Sequence, residues 1–139
     1  MRPHSLLALA LTAAATTTLR AQSSTCRAAD DESARLISAA KLMVTSTDSR
    51  WIQARNAYQL SVVPDTAIAL VTDDSVCAQA GSAYNSALAD GLRHERSLYV
   101  VRVGDRYVVE DPSTDASGAE YRLIVTLSSA FVVLAKGAA

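Results

Sequence analysis

Two strand-turn-strand patterns in the last third of the chain constrain the fold more than any other feature. Residues 98–103 and 106–110 are short valine-rich runs on either side of Gly104-Asp105. Glycine at the first central position suits a two-residue type II′ turn, whose twist matches that of the strands it joins. Such a turn fixes the register. Val103 faces Arg106, Val101 faces Val108 and Tyr99 faces Glu110, while Leu98, Val100, Arg102, Tyr107 and Val109 lie on the other side. Asp111-Pro112 stops the second run, and residues up to Gly118 read as a polar loop.

A second pair of runs, 120–127 and 130–135, flanks Ser128-Ser129. A two-residue turn there puts Leu123, Val125 and Leu127 on the same face as Ala130, Val132 and Leu134, the expected core face. The opposite face carries Arg122, Ile124 and Thr126 beside Phe131 and Val133. It is more apolar than a plain solvent face. It reads either as a face covered by the chain's own helices or as an interaction surface made by Ile124, Phe131 and Val133.

The segments before these hairpins carry helical spacing. Asp30-Asp31-Glu32 precedes Leu36, Ile37, Ala40 and Met43, so a helix is expected over 31–44, with the acids at its positive end. Asp48 caps a second helix bearing Trp51, Ile52, Arg55 and Tyr58, with Trp51 and Tyr58 expected in the core, and Pro64-Asp65 ends that segment. The apolar run 66–72 reads as a strand. Asp73 or Asp74 then opens a third helix to about residue 89, with a stripe of small residues (Ala80, Ala83, Ala87) suited to close packing on a sheet, and Gly91 at its end. The expected architecture is α+β: about three helices on an antiparallel sheet of four to five strands, ending in a β-meander. This order of helices then hairpins resembles cystatin-like and related small secreted modules in architecture, which implies a fold class and no function.

The chain has 139 residues, half of them hydrophobic but only 5 % aromatic. Its core must therefore be built mainly from Val, Leu, Ile and Ala. Its start has the order of a secretory signal: Arg2 and His4, an apolar run from Leu6 to Leu11, then small residues. That run is shorter than the roughly 20 residues needed to span a bilayer. Cleavage is expected after Ala21, with Ala15 as the alternative. Residues 1–21 are thus expected to be a signal peptide and 22–139 a single domain, periplasmic or secreted, with no membrane attachment after cleavage. The formal charge is −1, and losing Arg2 and Arg20 makes it −3. That balance argues against a nucleic-acid partner. In an oxidising compartment the only two cysteines, Cys26 and Cys77, are expected to form a disulfide. It would close a loop of about 50 residues and contribute roughly 4 kcal/mol in the chain-entropy account.

No catalytic or cofactor motif is present. His94 is the one histidine left after cleavage, and Arg93-His94-Glu95-Arg96 lacks the second histidine of a zinc-protease helix. There is no nucleophile elbow and no glycine-rich phosphate loop. Asp73-Asp74 reads as a helix cap. Glu110, Asp111 and Asp115 lack the ligand alternation of a calcium loop. No metal ligand set, cofactor site or catalytic residue is therefore assigned. The sequence points to an exported non-catalytic module that binds a protein or small ligand, or is structural. The alternative is a small hydrolase or isomerase using carboxylates, with His94, Glu95 or Asp111 in a pocket.

Overall fold

The computed structural model describes residues 26–87, 98–111 and 123–138. Among these residues lie three α-helices, α1 (Asp31–Thr45), α2 (Ser49–Ala57) and α3 (Asp74–Ala87). They accompany five strands, β1 (Ile68–Leu70), β2 (Tyr99–Val103), β3 (Arg106–Glu110), β4 (Leu123–Leu127) and β5 (Val133–Ala138). The strands form one antiparallel sheet in the order β1-β2-β3-β4-β5. This is the expected α+β class with a C-terminal meander.

α1 starts where the acids predict. The Asp30 carboxylate accepts from the Ser33 amide, and the Ser33 hydroxyl accepts from the Asp30 amide, a reciprocal capping box. The β2–β3 register is the expected one: Tyr99 opposite Glu110, Val101 opposite Val108, Val103 opposite Arg106. Gly104 has φ 64° while Asp105 does not take a positive φ. That combination fits a type II′ turn and not type I′, which needs both.

Three expectations are corrected. The strand expected over 66–72 is confined to Ile68–Leu70, because Asp65–Ala67 closes a 3-10 turn, with the Ala67 amide donating to the Pro64 carbonyl. α2 ends at Ala57, well before Pro64. Gln59 takes a left-handed φ of 54°. The Gln59 amide donates to the Asn56 carbonyl and the Leu60 amide to the Arg55 carbonyl. That is a Schellman stop built without glycine. Trp51 and Tyr58 are half-buried, and α2 has no buried residue.

The third correction concerns the last hairpin. Leu127 pairs with Val133, Thr126 with Ala135 and Val125 with Lys136, with a bulge between the first two pairs. Five residues, 128–132, therefore separate the paired ends, and within them Ser128 and Val132 close a turn of three residues and not two. The Ser128 amide donates to the Val132 carbonyl, the Phe131 amide donates to Ser128, and Phe131 has φ 63°. A tight turn followed by one left-handed residue is the standard three-residue hairpin. Here the Ser128 hydroxyl holds it by accepting from the Ala130 and Val132 amides. Val132, expected inside, is 58 % exposed, and Val133 faces the core beside Leu127.

Strand alternation then assigns two buried faces. Leu98, Val100, Val109, Val125 and Leu127 pack with Ala80, Tyr84 and Ala87 of α3. Ile68, Val101 and Val103 pack with Ala40 and Val44 of α1, and with Leu60. The sheet is thus covered on both sides, which is why β2 is valine-rich almost without interruption. Cys26 and Cys77 are disulfide-bonded with Cα atoms 5.5 Å apart, tying the strap before α1 to α3. The strap also pairs with Leu98, whose carbonyl accepts from the Arg27 amide.

Candidate functional site

The α1-facing side of the sheet holds an unfilled space. Its floor is two adjacent cross-strand rows: Val101 opposite Val108, and Glu110 opposite Ile124. Its roof is Leu36, Ala39, Ala40 and Met43, which helical spacing places on one side of α1. Tyr58 and Leu60, just after α2, form the remaining wall. The cavity measures about 80 Å³. Ala39 and Ala40 contribute only a methyl group each to that roof.

One end is polar. Glu110 is only 2 % exposed and belongs to the floor. Burial, and then the negative charge of Glu110, push the Tyr58 phenol above its usual range, so it stays protonated. The Tyr58 ring lies on β5 at Gly137, directly across the sheet from Ile124. A Cβ on Gly137 would come within 2.9 Å of the Tyr58 hydroxyl oxygen, so a side chain there and this tyrosine cannot share the position. In the row beside Val108, Thr126 is fully buried and its hydroxyl has no hydrogen-bond partner.

Beside Glu110 on the same face, Tyr99 connects the sheet to the start of α1. Its hydroxyl donates to the Asp30 carboxylate at 2.5 Å, and Arg27 stacks over its ring at 5.2 Å. Burial, then the bond to Asp30, push the Tyr99 phenol up. The same bond is the largest cause holding the Asp30 carboxyl below its usual range, followed by the Ser33 amide.

The three residues expected to share one surface are divided. Ile124 lies in the cavity floor. Phe131 and Val133 lie on the other face against the α3 cluster, with Phe131 stacked on Tyr107 at a centroid distance of 5.2 Å. The three-residue hairpin turn is the reason, since it shifts β5 relative to the assumed pairing. Of the residues suggested for carboxylate chemistry, Asp111 is buried just past β3, and His94 and Glu95 lie outside the described residues. The signal peptide and its cleavage position also lie outside them. Glu110 could have been singled out earlier, because alternation already placed an acid on the apolar face of Tyr99 and Val101. Tyr58, Gln59 and Gly137 could not, since nothing local links residues so far apart in sequence.

Among the described residues no group of three His, Cys, Asp or Glu could hold a metal ion, and no helix is long and apolar enough to cross a membrane. No family model, curated protein or solved structure matches the chain.

Proposed function

We propose that this chain is an exported, non-catalytic binding module whose site is the cavity beneath α1, and that it takes a short aliphatic ligand. The observation that carries the reading is a space of about 80 Å³ walled by Leu36, Ala39, Met43, Val108 and Ile124, between α1 and the sheet. Interiors are close-packed, and an apolar void forfeits dispersion contacts that a ligand can restore. A dry apolar cavity of roughly 150 Å³ accepts benzene. One of about 80 Å³ is suited to a short alkyl chain. Charge is disfavoured in the ligand's buried part by the cost of desolvation. Export is supported by the N-terminal pattern together with the disulfide, which suits an oxidising compartment.

The test is a titration with 1-butanol followed through the methyl resonances of Leu36, Met43 and Ile124. These should move in a saturable way while methyls of the α3 cluster stay still. Ala39→Leu should fill the space and weaken binding by about tenfold or more. Methyls that do not respond, or a titration unaltered by Ala39→Leu, would overturn the proposal.

A further inference from the structure

We propose that Tyr58 and Gln59 form the gate of this cavity, with Gly137 as the seat of the gate and the Leu134 carbonyl as its catch. The inference rests on the binding reading above. Tyr58 is both a wall of the cavity and the residue that lies on Gly137. The next residue, Gln59, donates its side-chain amide to the Leu134 carbonyl of β5 at 2.8 Å, across 75 positions of sequence. These two contacts hold the end of α2 against the far edge of the sheet. Along its nine residues α2 buries none, and what else holds it lies on the α1 side, where Arg55 donates to the Met43 carbonyl at 3.4 Å, away from β5.

The backbone supplies an independent argument. Gln59 occupies the left-handed position of a Schellman stop, where glycine is unstrained and a long side chain is not. A strained residue persists only where its surroundings hold it, and such positions concentrate at clamps and switches. Here the surroundings are the two Schellman hydrogen bonds, the buried Leu60 that follows, and the amide catch on β5. Lifting Tyr58 from Gly137 breaks that one hydrogen bond and opens the cavity wall, leaving the floor and α1 in place.

Exchange of 1-butanol, read from methyl line shapes, tests the gate in the full exported domain. Gln59→Ala removes the catch and keeps the backbone position. Gln59→Gly removes the catch and also relieves the backbone, so loss of folding cannot account for its result. Both should raise the association and dissociation rates together by about fivefold, the size expected for one lost hydrogen bond, with Kd unchanged. Rates indifferent to both Gln59 variants would overturn the gate and leave the cavity reading intact. A rise in the dissociation rate alone, with Kd weakened to match, would also overturn it by making Gln59 a support of the bound state. Failure of the unaltered protein to bind 1-butanol would remove both proposals.

Discussion

Three residues with left-handed backbone mark how far single positions could be understood in advance. Gly104 could be read, because glycine announces a positive φ and the flanking valine runs give it a turn to serve. Gln59 and Phe131 could not, because nothing in their type suggests the conformation they adopt. Each has local hydrogen bonds and also meets a distant partner: Gln59 the Leu134 carbonyl, Phe131 the Tyr107 ring. Gly104 also fills a steric role, since a Cβ there would lie 2.8 Å from a Val63 methyl. Gly104→Ala should therefore cost about 2 kcal/mol, combining left-handed strain with that contact. Urea unfolding would measure it against Asp105→Ala, an exposed neighbour in the same turn. Equal losses from the two substitutions would show that neither strain nor the Val63 contact matters.

Elements were legible where one local rule dominated. The acidic cap and helical spacing located α1, and Gly104-Asp105 set the β2–β3 register. The β4–β5 hairpin was misjudged because Ser128-Ser129 resembles a two-residue turn. The real turn depends on the Ser128 hydroxyl holding two amides and on a phenylalanine in the left-handed region. The Leu127 partner thus lies at 133 and not at 130, a shift of three residues that moved Val133 to the other face and separated it from Ile124. The start of α1 has a property that local rules do not reveal: its cap carboxylate is tuned by Tyr99, 69 positions away. The native Asp30 carboxyl gives up its proton at a lower pH than an unfolded aspartate. Its contribution is therefore complete above the ordinary aspartate range, about pH 4, and is lost as pH falls through the native value. Tyr99→Phe removes the largest cause of that shift. The stability of the variant, followed by urea midpoint from pH 5 downward, should fall less steeply than that of the unaltered protein. Parallel curves would mean that Tyr99 does not set the acid limb.

At the scale of the molecule, α+β class was readable but the layering was not. Composition and periodicity identify apolar faces without saying which helix covers which. Both faces of β2 are buried, by α1 on one side and α3 on the other, and the candidate cavity lies in only one of these layers. The disulfide divides the chain along nearly the same line. Its loop, 51 positions long, encloses the strap, α1, α2 and β1, while β2 to β5 lie outside it. A cross-link stabilises chiefly by restricting the segment it encloses when the chain unfolds, here by about 4 kcal/mol. The α1 layer should thus depend on it more than the meander does, since β2, β3 and β4 hold one another through adjacent pairing. Amide hydrogen exchange before and after reduction would separate the two. Protection should fall first in α1 and at the Arg27 amide bonded to Leu98, while the amides joining β2 to β3 keep theirs until global unfolding. The 1-butanol response at Leu36 and Met43 should weaken in parallel, because the roof of the cavity belongs to the loosened layer. Uniform loss of protection on reduction would show instead that the layers unfold as one unit and that the disulfide stabilises the whole sandwich without preference for the α1 side.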